Sequence, residues 1–189
     1  MSGLVQNPLS YVNRLDSRPP DSIRRVVIHA TELPDLETAR EYGERIHHEA
    51  SRTGNSGHFY IDRDGSIEQW VPLDRVAHHV RGHNADSIGI ELVNRGRWPD
   101  WYDSHHQDWE ESYPDAQIHA LIELLARLQD ELPALAEIAG HDQLDHDWIA
   151  SSDKPEVLVR RKMDPGAEFP WTRILSATRL RLSHAPEGN

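Results

Sequence analysis

Hydrophobic and polar positions alternate between two periods along this chain, and the two periods predict strands separated by helices. Residues 24–28 are rich in β-branched side chains, as expected for a central strand, and residues 87–93 form a second run of that kind. Residues 115–132 are the clearest helix, because their apolar positions fall on one stripe: Ile118, Leu121, Ile122, Leu125 and Leu128. This alternation predicts an α/β fold, a single domain with a mixed central β-sheet flanked by α-helices.

Turn and capping residues predict two further elements in the first half of the chain. Residues 58–63 and 66–71 flank Asp64-Gly65, a dipeptide typical of β-hairpin turns. Residues 34–54 predict a helix that opens at Pro34-Asp35 and stops at a glycine, because apolar positions recur at helical spacing: Ala39, Tyr42, Ile46 and Ala50.

The remaining segments are predicted mainly from their lack of a period. Residues 1–22 are polar and contain prolines, so an extended N-terminal arm is expected there. Residues 95–114 and 142–163 are predicted to be long loops, which in a compact domain are usually functional or mobile. Residues 136–140 predict a short strand, and residues 171–182 predict a terminal helix.

Composition narrows the function classes. The length of 189 residues fits one domain, expected at residues 23–182 with a short tail at 183–189. Cysteine is absent, so any metal must be held by His, Asp or Glu. A net charge of −12 argues against nucleic acid as a partner and favours a soluble substrate fragment over an anionic surface. No apolar run approaches the ~20 residues that span a bilayer, and no signal-peptide pattern is seen, so a cytoplasmic location is expected.

Three short stretches far apart in the sequence carry residue types that suit one zinc ion. His29 ends the first predicted strand, His141 follows the strand at 136–140, and Asp164 stands in Lys162-Met163-Asp164-Pro165-Gly166. Two imidazoles and a carboxylate supply three ligands and leave a fourth position for water, as hydrolytic zinc sites require. Each stretch taken alone also fits a plainer role, a buried histidine or a turn-initiating aspartate.

The order of these stretches, with Gly89-Ile90-Glu91-Leu92 between the first two, resembles that of the zinc-dependent N-acetylmuramoyl-L-alanine amidases. That family also contains T7-type lysozyme and the peptidoglycan recognition proteins. The resemblance covers residues 24–171 and implies the amidase fold, with peptidoglycan or muropeptides as substrate. It implies hydrolysis of the amide bond between N-acetylmuramic acid and L-alanine. It also implies one zinc ion per chain, bound by His29, His141 and Asp164.

The same resemblance implies catalytic roles for two side chains. In amidases similar to this chain, the glutamate matching Glu91 is the general base that takes a proton from zinc-bound water. A plainer alternative pairs Glu91 with Arg95 at the sheet edge. In the lysozyme branch a tyrosine precedes a His-Phe pair, and Gly57 stands there in this chain, which strengthens the case for Glu91. Lys162 lies two residues before Asp164 and is expected to donate to the oxyanion that forms.

Three side chains are predicted to contact the substrate. His79 lies in a segment similar to the Ala-Trp-His-x-Gly of the family, and His58 and His79 are interpreted as pocket residues rather than ordinary loop histidines. Trp101, with Trp98 and Trp109, is interpreted as a wall or partly mobile cover of the substrate groove, unless these indoles simply fasten their loop to the core. The other histidines are predicted to lie at the surface: His47, His48, His105, His106, His119 and His184.

Several alternatives to this assignment are open at this point. Asp142, Asp145, His146 and Asp147 are also possible metal ligands, although a solvated acidic loop is the simpler explanation. The patterns of zinc deaminases, His-Glu-x-x-His proteases and Gly-x-Ser-x-Gly hydrolases are missing or incomplete. Two rival functions are a non-catalytic peptidoglycan-binding module and a lysin that acts on intact cell wall. The three filled ligand positions disfavour the first, and the acidic charge disfavours the second.

Overall fold

A seven-stranded sheet organises the structure, a computed structural model that describes residues 3–109 and 111–183. In chain order its strands are β1 (Leu4–Gln6), β2 (Arg25–Ala30), β3 (Phe59–Ile61), β4 (Ile67–Gln69), β5 (Ser87–Leu92), β6 (Glu137–Gly140) and β9 (Arg181–Leu182). A separate two-stranded ribbon consists of β7 (Trp148–Ala150) and β8 (Leu158–Arg160). The α-helices of the described residues are α1 (Leu36–Gly43), α2 (Asp115–Glu131) and α3 (Trp171–Ala177).

The sheet is mixed, as predicted, and its strand order is β1-β4-β3-β5-β2-β6-β9. The β3–β4 pair is antiparallel, and the other pairs of this sheet are parallel. The predicted hairpin is confirmed, because β3 and β4 flank a turn in which Gly65 takes the left-handed φ of +86°. Because β3, β5, β2 and β6 run parallel, their carboxyl ends meet along one edge of the sheet.

Helix α2 covers one face of the sheet and confirms the predicted stripe. Ile118, Leu121, Leu125 and Leu128 are buried in the larger core cluster, whereas Ile122 lies at its margin. The buried amide of Gln117 donates to the carbonyl of Ile61, the last residue of β3, and to the carbonyl of Val93, which follows β5. These bonds satisfy two buried carbonyls and fasten the helix to the strands that carry the site.

The other face of the sheet is covered by α1 and by the N-terminal segment. Residues 1–22 are predicted to be an extended arm, but the described part is integrated into the domain. Strand β1 pairs with β4, and Leu9, Tyr11 and Leu15 are buried in a second core cluster. The hydroxyl of Tyr11 donates to the carbonyl of Gly43 at 2.7 Å. The apolar residues of this segment are too sparse to show a period, although they contribute to the core.

Two predicted helices are shorter in the structure. Helix α1 begins as expected, with the carboxylate of Asp35 accepting from the amide of Thr38, but it ends at Gly43 instead of Gly54. The amides of His47 and His48 donate to the carbonyl of Thr53, so a tight turn uses the donors that a longer helix would need. The ring of Trp70 packs against Gly43, a position with low helix propensity.

The predicted terminal helix at 171–182 is also corrected. Helix α3 ends at Ala177, and Arg181 and Leu182 then extend the sheet as β9, paired with Glu137 and Ile138. A two-residue strand depends on its partner and has no sequence period of its own, which explains why it was not predicted. The same reason applies to the β7–β8 ribbon inside the predicted loop 142–163.

The predicted loop at 95–114 contains no helix or strand among its described residues, which leave out residue 110. His184 and the rest of the tail at 184–189, like residues 1–2, also lie outside the described residues. Among the helices that are described, none has the length and apolar character needed to cross a bilayer.

Candidate metal centre and active site

Four neighbouring strands bring polar side chains into one row at the carboxyl ends of the parallel strands. His29 on β2 is opposite Glu91 on β5, and Glu91 is opposite Tyr60 on β3. Ile28 is opposite Gly140 at the end of β6, so His141 follows beside His29. Residues opposite one another on neighbouring strands share a face of the sheet, and all four of these side chains line one cavity of about 280 Å³.

The three predicted metal ligands converge at this row. His29 Nδ1 lies 3.0 Å from His141 Nδ1 and 3.0 Å from Asp164 Oδ2, and His141 Nδ1 lies 3.1 Å from the same oxygen. All three residues are buried. Three donor atoms in a nearly equilateral triangle form a group that is able to hold a metal ion.

The chemistry of this triangle fits zinc. In a tetrahedral site with bonds of about 2.0–2.1 Å, ligand atoms are about 3.3–3.4 Å apart, a few tenths of an ångström more than here. Asp164 Oδ1 is buried and has no hydrogen-bond partner, a cost that coordination of the carboxylate would help to offset. Burial raises the pKa of Asp164, but the neighbouring imidazoles of His141 and His29 hold it well below its usual range, so the carboxyl is ionised.

Local packing holds the loop that carries Asp164. The carbonyl of Asp164 accepts from the amide of Asp142, and the hydroxyl of Tyr113 donates to the carbonyl of Pro165 at 2.5 Å. Gly166 has a φ of +85°, and the ring of Trp109 occupies the space that a Cβ would need. A glycine at this position therefore permits both the backbone turn and the close approach of the indole.

Glu91 faces the cavity beside the ligands, and the alternative pairing with Arg95 does not occur. The Arg95 backbone amide bonds to Glu111, and no described ion pair joins Arg95 to Glu91. Burial raises the pKa of Glu91 above its ordinary value, and the charge on Asp164 adds to that increase, whereas His29 opposes it. A Cβ at Gly57 would lie 2.8 Å from Glu91 Cγ. The glycine therefore provides room for the glutamate.

Lys162 lines the same cavity, as a residue expected to donate to the oxyanion must. Its segment continues strand β8 and is held by the buried guanidinium of Arg97, which bonds to the carbonyls of Arg160 and Arg161. Arg97 also forms a buried ion pair with Glu32, just beyond β2, at 2.8 Å. One arginine thus joins the segment after the His29 strand to the segment that carries Lys162.

Trp101 combines the two roles considered for it. Its side chain lines the cavity, and its Nε1 donates to the carbonyl of Glu32 at 3.0 Å. Its ring also packs edge-on against Tyr42 and Trp98 at the second core cluster. Trp98 belongs to this packing, and Trp109 packs against the loop that holds Asp164. The indoles therefore fasten the 95–114 loop, and Trp101 in addition forms part of the wall.

His79 lies on the cavity wall, and both of its ring nitrogens contact protein groups. Its Nδ1 is 3.0 Å from His29 Nε2, and its Nε2 is 3.1 Å from the hydroxyl of Ser87. The predicted segment thus reaches the site. The sequence motif gave no indication that this ring contacts a metal ligand.

His58 is placed differently from the prediction that it contacts substrate. It is 0% exposed and does not line the cavity. Its Nδ1 accepts from the amide of Gly89, and its Nε2 lies 3.1 Å from the carbonyl of Arg75 and 2.7 Å from Arg18 Nη2. His58 therefore packs behind His79, whose ring centroid is 5.7 Å from its own, and is bonded to strand β5 through the amide of Gly89. Tyr60, two residues later, is the residue that reaches the cavity, and strand register was the information needed to find it.

Metal-free protein is expected to lose stability in acid partly through His58. Burial and the adjacent Arg18 lower the pKa of His58 to about 3, whereas an unfolded histidine titrates near 6.5. Between these values only the unfolded state binds the proton. Stability therefore falls as pH drops below about 6.5, by up to about 1.4 kcal/mol per pH unit.

Urea unfolding of His58→Gln over about pH 4–6 should show a shallower dependence of stability on pH, by roughly one proton. Identical pH dependence in the wild type and His58→Gln would contradict this account.

The alternative ligands in the 142–147 loop are engaged elsewhere or exposed. Asp145 pairs with Arg161, Asp147 pairs with Arg81 and Arg161, and His146 is exposed. Asp142 lies close to the centre but is not part of the described group of converging donor atoms, and burial and the charge of Asp164 raise its pKa to about 6. These contacts favour the predicted ligand set.

Comparison with known proteins identifies the family. The family model described as N-acetylmuramoyl-L-alanine amidase matches residues 18–167, most of the chain and all three metal-ligand candidates. The chain belongs to the N-acetylmuramoyl-L-alanine amidase family. The resemblance inferred from the sequence motifs is thereby confirmed, and the amidase match extends into the segment predicted to be an N-terminal arm.

Relatives of this amidase chain differ in how much of their length it covers. The 1,6-anhydro-N-acetylmuramyl-L-alanine amidase AmpD of Haemophilus influenzae is 27% identical over 198 residues, 93% of this chain and 91% of that protein. AmpD of Enterobacter cloacae is 32% identical over 123 residues, 60% of this chain and 52% of that protein. The chain thus spans about half the length of the Enterobacter relative.

A solved structure has the same fold. It is the complex of the N-acetylmuramyl-L-alanine amidase AmiD from E. coli with the substrate anhydro-N-acetylmuramic acid-L-Ala-D-γ-Glu-L-Lys. The TM-score is 0.61 with 25% sequence identity, and the match covers 82% of this chain and 57% of AmiD. The predicted amidase fold is therefore confirmed by both sequence family and structure.

Proposed function

We propose that this chain is a zinc-dependent N-acetylmuramoyl-L-alanine amidase that hydrolyses the amide between the lactyl carbonyl of N-acetylmuramic acid and L-alanine. The observation that carries the proposal is the triangle of His29, His141 and Asp164, with Glu91 and Lys162 on the wall of the same cavity. Bound by these three residues, one zinc ion per chain would supply a Lewis acid that polarises a carbonyl and activates water.

The side chains of the chain account for the proton movements. The Glu91 carboxylate takes a proton from the attacking water as its oxygen bonds to the lactyl carbonyl carbon. Lys162 donates to the oxygen that becomes negative as the tetrahedral intermediate forms. When the carbon–nitrogen bond breaks, Glu91 returns the proton to the nitrogen of L-alanine. The products are the free muramic acid carboxylate and a peptide with a free amino terminus.

Soluble muropeptides are the proposed substrate class. The names of the AmpD relatives and the ligand in the AmiD complex contain an anhydro-muramic acid unit. The net charge of −12 disfavours adhesion to an anionic wall and agrees with a small soluble substrate. A cytoplasmic location, as expected from the sequence, would suit this substrate and stays a prediction.

A parallel assay tests the function and its two rivals. Zinc-loaded protein should release L-alanine-terminated peptide from anhydro-muropeptides, and protein stripped of metal should not until zinc is returned. Faster release from purified sacculi than from muropeptides would favour the lysin. Binding of muropeptide without hydrolysis by zinc-loaded protein would favour the non-catalytic binding module and reject the enzyme.

A further inference from the structure

A chain of hydrogen bonds runs from the backbone to the metal centre through His79. The hydroxyl of Ser87 lies 2.6 Å from the carbonyl of His83 and 3.1 Å from His79 Nε2. His79 Nδ1 in turn lies 3.0 Å from His29 Nε2. The other nitrogen of His29, Nδ1, is the atom that faces Asp164 and His141.

The backbone carbonyl of His83 fixes the direction of each hydrogen bond in this series. A carbonyl only accepts, so the single hydroxyl proton of Ser87 is donated to His83. Ser87 Oγ must then accept from His79, which places the proton of His79 on Nε2. His79 Nδ1 is left as an acceptor, so His29 donates through Nε2–H. A metal-bound imidazole is neutral and carries one proton, so in the zinc-bound protein His29 holds that proton on Nε2 and keeps the Nδ1 lone pair for the ion.

Packing holds the His79 ring in the geometry that this chain of bonds needs. A Cβ at Gly89 would lie 2.6 Å from His79 Cγ, so the ring rests directly on strand β5 at a glycine. The amides of His79 and Val80 both donate to Asn84 Oδ1, at 3.0 and 2.8 Å. The rings of His79 and His29 meet edge to face with centroids 5.1 Å apart.

We propose that His79 is a positioning residue that sets the ring tautomer of His29 and directs the Nδ1 lone pair towards the metal. Metal-binding histidines commonly donate their second N–H to a carboxylate or a backbone carbonyl, and such partners affect metal affinity. Here a second histidine, fixed by Ser87, takes that place. The proposal rests on the zinc centre of the proposed function but is independent of the substrate.

Two amide variants separate the acceptor role from the bulk of the ring. Asn places its side-chain oxygen near the position of His79 Nδ1, whereas Gln places its amide nitrogen near Nε2 and offers no acceptor at Nδ1. In competition with a chelator, His79→Gln should bind zinc about 10–100-fold more weakly than the wild type. His79→Asn should bind zinc with close to wild-type affinity. The matched control is His83→Ala, which leaves the His83 carbonyl in place and should not change zinc affinity.

Zinc rescue distinguishes a positioning residue from a substrate contact. Excess zinc should restore hydrolysis by His79→Gln without a change in KM, because the substitution lowers only the affinity for zinc. An elevated KM at saturating zinc would instead support the earlier prediction that His79 contacts substrate, and would overturn the positioning role.

The tautomers are directly measurable in the zinc-loaded wild type by long-range ¹H–¹⁵N NMR. The expected result is that both His29 and His79 carry their proton on Nε2. Ser87→Ala removes the acceptor and should populate the other tautomer of His79. A wild-type His29 protonated on Nδ1, or a His79→Gln variant that binds zinc as tightly as the wild type, would overturn the proposal. The wild-type spectrum tests the positioning role even if a variant does not fold. Failure of the wild type to bind zinc would contradict the proposed function instead.

Discussion

Asp164→Ala should abolish zinc binding and amide hydrolysis together, whereas His146→Ala should change neither. Asp164 supplies the only carboxylate oxygen of the described ligand triangle, within 3.0–3.1 Å of both imidazole nitrogens. Its loss leaves two neutral ligands, so zinc affinity should fall by more than the ~10–100-fold that follows loss of an outer hydrogen-bonding partner. His146 is the suitable control because it is an exposed histidine of the loop that follows His141.

The stabilisation by zinc in thermal unfolding tests this prediction without relying on enzyme activity. Zinc at about 1,000 times its Kd should stabilise the wild type by about 4 kcal/mol, because the folded state alone presents the assembled site. Asp164→Ala should show no such gain. Zinc-dependent stabilisation that survives in Asp164→Ala and disappears in His146→Ala would move the metal into the 142–147 loop.

The elements predicted well from the sequence are those with a strong local signal. Helix α2 has a long apolar stripe, and the β3–β4 hairpin has an Asp-Gly turn, so each is specified by its own residues. The Asp35 cap correctly predicts where helix α1 begins. The predicted end is too late because Ile46 continues the apolar spacing, whereas in the structure the amides of His47 and His48 bond to the carbonyl of Thr53 and close a turn.

Very short strands were not predictable in this way. Strands β1 and β9 and the β7–β8 ribbon have only two or three residues each, too few to display a period. The backbone groups of β1 and β9 are satisfied by strands remote in the chain, β4 and β6, whereas β7 and β8 pair with each other across a short loop. Leu9 and Tyr11 likewise contribute to the core through contacts with the α1 side of the sheet.

The candidate site was predictable as a set of residues but not as a set of contacts. His29, His141 and Asp164 were found from three ordered motifs, and the structure brings them together. The motifs gave no information about which histidine faces which neighbour. His58 and His79 were interpreted alike, yet His58 is fully buried behind the ring of His79, whereas His79 contacts His29. That difference depends on the pairing of β3, β5 and β2, which is a property of the whole sheet.

Glu91→Gln should lower kcat by about 10²–10⁴-fold while zinc content and KM stay close to the wild type. The amide has the size of the carboxylate, so contact with Gly57 is kept, but it cannot take the proton of the attacking water. Burial raises the pKa of Glu91 above its ordinary value, which makes the carboxylate a stronger base than an exposed glutamate. Glu91 is not one of the three residues of the ligand triangle, and so the metal should remain bound.

Glu137→Gln is the matched control for this prediction, because Glu137 is also on a strand of the sheet but pairs with Arg25 away from the cavity. It should retain wild-type kcat. Turnover of Glu91→Gln at the wild-type rate would remove Glu91 from the mechanism. His79 would be a poor replacement as base, since the chain of bonds from His83 places its proton on Nε2 and commits its Nδ1 lone pair to His29. Tyr60 would then be the next candidate for the base, because it shares the polar row with Glu91 and lines the same cavity.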